Sequence, residues 1–270
     1  MRRHDRDRFQ TALFAPAEPR EALFALYAFN YEIARVREVV REPMLGQIRL
    51  QWWREVIHAA YAGEPPRRHE TVLELNAAIR DHSLNRADLD RLIDTRERDF
   101  EPEPPPSLAA LEDYAEGSSA TLVRLALQLL GADPAATAAA SRSIGIGYAL
   151  AGLLRAMPFH AAAGRSCVPA DIAARTGVDP RDYAARRGSP AIRDAAAEIA
   201  AAAEGHLRAA RANRPTVPRA AAAAALPAVI AERYLKRLRR AGSDPFAPQL
   251  ALPDPLQAWR LLAASLLRRY

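Results

Sequence analysis

The chain has 270 residues, half of them hydrophobic, and carries 38 Lys and Arg against 32 Asp and Glu, a formal net charge of +6. Its single cysteine, Cys167, excludes an intramolecular disulfide, and no apolar run approaches the ~20 residues of a membrane span. Ala and Leu dominate while β-branched and aromatic residues are sparse, which excludes a sheet-based fold and predicts helices punctuated by 21 prolines and 12 glycines. Lys236 is the only lysine, so the basic balance fits either an anionic ligand or surface, or a coding preference for Arg. Met1 to Phe9 has no apolar h-region, and with one Cys the chain reads as cytoplasmic, with peripheral contact at a membrane open to it. Basic residues are mixed with acids and lack aromatic interleaving, so nucleic acid is not an expected partner.

Residues 1–12 read as a mobile lead-in. A first helix is predicted over Pro19–Glu38, where Leu23, Leu26, Tyr27, Asn30, Ala34 and Arg37 share a face. Helices follow over Leu45–Tyr61, Thr71–His82 and Arg86–Phe100, then a proline-rich loop over Glu101–Pro106. Ser107 opens a long helical stretch closed by Gly131, and Asp133-Pro134 starts a helix that runs to about Met157. Short helices over Asp171–Thr176 and Asp179–Arg187 precede long Ala-rich ones over Ala191–Arg211 and Ala220–Arg240, the latter interrupted at Pro227. Residues 241–255 form a linker to a last helix over Leu256–Tyr270, read either as closing the bundle or as docking on a membrane or partner. The whole reads as one all-α, bundle-like domain over residues 1–270.

Three segments in order resemble the squalene/phytoene synthase family. They are Ala25–Glu38, the run Arg49-Leu50-Gln51-Trp52-Trp53-Arg54, and Leu153–His160 followed by Gly164–Asp171. The resemblance implies the isoprenoid-synthase fold, a helical bundle around a central cavity. It runs toward a divergent branch that includes a mitochondrial assembly factor of respiratory complex I and its bacterial relatives. Enzymes of the family use Mg²⁺ held by two Asp-x-x-x-Asp helices to draw diphosphate from a prenyl chain. Here the first motif aligns as Ala34 and Glu38 and the second as Ala156 and His160. Alanine offers no ligand and imidazole is a poor match for magnesium, so only Glu38 is left to hold a metal. Other acidic pairs, Asp90 with Asp94 and Glu112 with Glu116, read as solvated helix charges.

The resemblance places Arg155 and Arg165 beside the family's diphosphate site and implies a cavity lined by Tyr27, Asn30, Tyr31, Arg155, His160 and Arg165, able to hold a prenyl diphosphate or another isoprenoid without cofactor. The other reading is a collapsed core in which these residues satisfy one another. The expectation is therefore a catalytically degenerate protein, an assembly or scaffolding factor whose partners are complex I subunits or assembly intermediates. The alternatives are an active, Mg-dependent prenyl diphosphate transferase joining farnesyl or geranylgeranyl diphosphate head to head, and a lipid-binding protein of isoprenoid metabolism.

Overall fold

In the computed structural model, which describes residues 5–40 and 42–267, the described residues form helices and connecting turns with no strand. The expected extension of the last helix through Arg268 to Tyr270, and the start of the lead-in at residues 1–4, lie outside the described residues. The lead-in is helical over α1 (Arg6–Ala12), because Asp5 caps it, its Oδ1 accepting the Arg8 N–H at 3.0 Å. Thr11 and Ala12 are buried, so this segment belongs to the bundle rather than trailing from it.

Next come α2 (Ala17–Ala34), α3 (Val36–Val39), α4 (Pro43–Ala62), α5 (Glu70–His82) and α6 (Arg86–Thr95). The single helix expected to Glu38 breaks at Arg35. There the Glu38 N–H bonds the Arg35 carbonyl at 2.9 Å instead of reaching Ala34. That tight turn takes Glu38 off the face of Ala34 and into solvent. The helix predicted to Phe100 is α-helical only to Thr95 and then tightens to a 3₁₀ turn over Arg96–Phe100.

The stretch opened by Ser107 divides into α7 (Leu108–Ala115), a π turn over Glu116–Ala120 and α8 (Thr121–Leu129). The π turn brings the Ala120 backbone against Gly145 of α9 (Ala138–Ala162). A Cβ at residue 145 would stand 2.1 Å from Ala120 Cα. Gly145→Ala therefore destabilises the fold by about 2 kcal/mol despite the better helix propensity of Ala, because backbone cannot step aside as a side-chain tip can. A urea melt with a lowered midpoint and unchanged slope checks this.

Helix α9 continues five residues past the expected end at Met157, through Pro158. A proline so near the helix end forfeits one backbone bond, and burial of Met157 and Ala161 offsets it. After α10 (Ala170–Thr176) and α11 (Pro180–Ala184) comes α12 (Pro190–Ala212), followed by α13 (Pro227–Arg240) and α14 (Gln257–Leu267). The Ala run forms a 3₁₀ turn over Arg219–Ala224, and Pro227 starts α13 rather than interrupting it, since the missing N–H has no helical partner there. Helix α9 is the central strut, with α8, α12, α13 and the π turn packed around it. Its small residues and the alanines of α12 bring the two axes close; Gly147, for example, faces Leu207.

Candidate functional site

Between α1, α2 and α9 lies a polar core that composition does not reveal. Arg8 of α1 reaches inward and pairs with Asp5 at 2.7 Å. Its guanidinium lies 5.2 Å from the ring centre of Tyr148 and 5.9 Å from that of Tyr27, so two π faces and one carboxylate hold a permanent cation. Burial pushes the Asp5 carboxyl up, but Arg8 outweighs it and holds the group below the usual carboxylate range. Burial pushes the Tyr148 hydroxyl up to about 12 and the Tyr27 hydroxyl higher still, so both stay protonated.

A second, partly buried cation follows. Arg96 donates to the Tyr114 hydroxyl at 2.7 Å, and Tyr114 donates to Asp99 at 2.6 Å. Near them a pocket of about 130 Å³ opens between Asp99, Tyr114, Leu153, His160, Arg165 and Cys167. Burial and the neighbouring Arg165 depress the His160 pKa below its ordinary 6.5, against the pull of Asp99. A depressed histidine binds its proton more readily unfolded than folded, so stability falls as pH drops below 6.5 toward the folded value. The expected result is a His160 imidazole that titrates below 6.5 by NMR, and a His160→Gln variant whose melting temperature depends less on pH in that interval. Burial pushes the Cys167 thiol up to about 11, which leaves it an inert packing group.

Arg155 points elsewhere. It pairs with Asp7 at 2.6 Å and lines a groove of about 440 Å³ between α1, α13 and the segment before α14. Arg6, Arg233, Arg237 and Tyr234 line the same groove, and the buried Tyr234 hydroxyl has no hydrogen-bond partner. Four guanidinium groups against Asp7 and Asp254 make it an anion-attracting surface.

The six expected lining residues therefore do not surround one cavity. Tyr27 and Asn30 are buried in the core, where Asn30 Oδ1 accepts no hydrogen bond. His160 and Arg165 share the small pocket, and Arg155 lies in the arginine groove. Tyr31 is turned to the outer groove between α2 and α5, under the guanidinium of Arg35. Adjacent positions on a helix point about 100° apart, which is why Asn30 and Tyr31 part company. The alternative acidic pairs have partners of their own: Asp94 is ion-paired with Arg54 at 2.7 Å, Asp90 with Arg86 at 3.4 Å and Glu116 with Arg142 at 2.9 Å, while Glu112 lies 2.9 Å from the His206 Nε2.

Magnesium does not fit this arrangement. Among the described residues no three His, Cys, Asp or Glu side chains gather as a metal site. Ala34 and Ala156 present methyl groups, Glu38 is exposed on α3, and the nearby interior already holds the cations Arg8 and Arg96. Arg8, Tyr148, Arg96, Tyr234 and Arg233 carry no sequence motif that marks them. The spacing of Asp5 and Arg8 on one helical face was the signal available for the first.

The profile of the squalene/phytoene synthase family matches residues 1–261. The chain belongs to that family. NADH dehydrogenase (ubiquinone) complex I, assembly factor 6 of Homo sapiens is 33% identical over 268 residues, 96% of this chain and 80% of that protein. The protein of the same name from Mus musculus is 33% identical over 100% of this chain and 81% of its own length. A presqualene diphosphate synthase of Rhodopseudomonas palustris is 28% identical over 66% of this chain and 64% of its own length. In structure, a dehydrosqualene synthase superposes with a TM-score of 0.86 at 17% identity, over 100% of this chain and 94% of that one. A squalene synthase of Alicyclobacillus acidocaldarius gives 0.77 at 24% identity over 87% and 89% of the two chains. The helical architecture of squalene and dehydrosqualene synthases is thus retained in this chain.

Proposed function

We propose that this squalene/phytoene synthase family protein is a catalytically degenerate member that serves as an assembly or scaffolding factor for respiratory complex I, with complex I subunits or assembly intermediates as partners and no metal cofactor. The supporting observation is the combination of near full-length likeness to complex I assembly factors with methyl groups at Ala34 and Ala156. Without converging carboxylates, nothing neutralises a departing pyrophosphate. The anion-attracting groove around Arg155 and the pocket of His160 and Arg165 support a retained affinity for a prenyl diphosphate or another isoprenoid. No helix among the described residues is long and apolar enough to cross a membrane, which accords with a cytoplasmic protein that meets the inner membrane peripherally.

Tagged protein should co-purify with complex I subunits, and deleting its gene should lower NADH–quinone activity while other respiratory activities hold. Normal complex I activity after deletion would refute the assembly role. Prenyl diphosphate should raise the melting temperature even in chelator, and Arg155→Ala should abolish that rise. The likeness to presqualene diphosphate synthase favours a second reading, a prenyl diphosphate transferase with an unusual metal site. Mg-dependent turnover lost in Glu38→Ala would establish it.

A further inference from the structure

Helix α14 is packed inside out. It runs Gln257–Leu267 and buries only Leu261 and Ala264. Its other large apolar residues face solvent: Trp259 is 69% exposed, Leu266 63%, Leu267 62% and Leu262 37%. Leu256 and Leu252, just before the helix, extend the same surface at 50% and 62%. Positions 256, 259, 263 and 266 follow three- and four-residue spacing, so they form a continuous stripe along one face. A helix that merely closed the bundle would turn this stripe inward, because each exposed leucine or tryptophan forgoes burial.

The charge beside the stripe selects its occupant. Ala258 and Leu252 border the groove that holds Arg6, Arg155, Arg233 and Arg237, with Asp7 and Asp254 as its acids. Arg237 further donates to the Leu252 carbonyl at 2.8 Å, fixing a guanidinium at the start of the stripe. An apolar stripe with Trp at its centre and arginines along one flank matches the headgroup boundary of an anionic bilayer, where indole sits at the interface and guanidinium meets phosphate. A second copy of the chain suits it less well, since a two-fold pairing of this face would bring two arginine-rich flanks together. We infer that the α14 face is an interfacial membrane anchor for an anionic phospholipid surface. It seats the arginine groove at the lipid–water boundary without spanning the membrane.

This inference rests on the peripheral membrane contact proposed above and assigns it to α14, and vesicle binding can fail independently of complex I activity. The test is flotation of the full chain with vesicles of phosphatidylcholine alone and of phosphatidylcholine mixed with phosphatidylglycerol. The expected result is binding at least about tenfold stronger to the anionic vesicles, weakened by added salt. The double variant Trp259→Ser/Leu266→Ser should bind at least about tenfold more weakly, with an unchanged circular dichroism melt, since both side chains are exposed. Equal binding by the variant, or no binding by the wild-type chain, overturns the inference. So does a concentration-dependent dimer that the double variant abolishes in the absence of vesicle binding, because the stripe would then pair two copies.

Discussion

Asp5→Ala lowers the stability of the folded chain by about 3 kcal/mol, within the range measured when one partner of a desolvated ion pair is removed. Arg8 then sits between the Tyr27 and Tyr148 rings without its carboxylate, which stands 2.7 Å away in the native chain. Arginine cannot shed its charge in response, so the cost falls on folding or on the docking of α1. With an unfolding entropy of roughly 2.1 cal/mol/K per residue, the melting midpoint falls by about 5 °C. Asp5 carries a carboxyl held below its unfolded value, so the stability it contributes is present above 3.8 and is lost as pH falls through the folded value. The difference between wild type and Asp5→Ala should therefore be full at pH 7 and shrink in strong acid. Calorimetry at both pH values checks it, and an unchanged midpoint at pH 7 would mean that Arg8 is not held by this pair. Arg8→Met, which removes the charge and leaves a similar volume, should be milder than Asp5→Ala, because replacing a desolvated cation by a hydrophobe leaves less unsatisfied.

Offered farnesyl diphosphate with Mg²⁺, the protein should release pyrophosphate at least about a thousandfold more slowly than a relative with all four carboxylates. That factor corresponds to roughly 4 kcal/mol of transition-state stabilisation, the order a pair of bridging metal ions supplies. Ala34→Asp/Ala156→Asp alone should not restore turnover. Glu38 remains turned to solvent by the break at Arg35, and Arg8 and Arg96 keep the interior cationic. A pyrophosphate assay on the wild-type and double-variant proteins decides this. Rapid, Mg-dependent release by the wild type would show that the ligands come from residues other than those aligned with the family motifs.

The helices were legible because their periods are local. Leu23, Leu26, Tyr27 and Asn30 share a face by spacing alone, and all four are buried as that spacing implies. Boundaries were less legible where proline was concerned. Pro158 suggested an end and Pro227 an interruption, yet a proline's effect depends on whether its missing N–H falls at a helix start and on what the following residues bury. The site was legible only in its chemistry. That His160 and Arg165 share a pocket while Arg155 serves another groove depends on which way each side chain leaves its helix and what α1 and α13 place opposite it.

The sequence by itself determined the all-helical class and the family resemblance, because helical period and the order of local motifs are written in neighbouring residues. Only the tertiary structure decided that Arg8, from a segment expected to be mobile, lies between Tyr27 and Tyr148, and that α14 turns Trp259, Leu262, Leu266 and Leu267 outward. Helical periodicity records which residues share a face. It does not record which distant element that face meets, and the meeting of α1 with α9 joins residues more than a hundred positions apart.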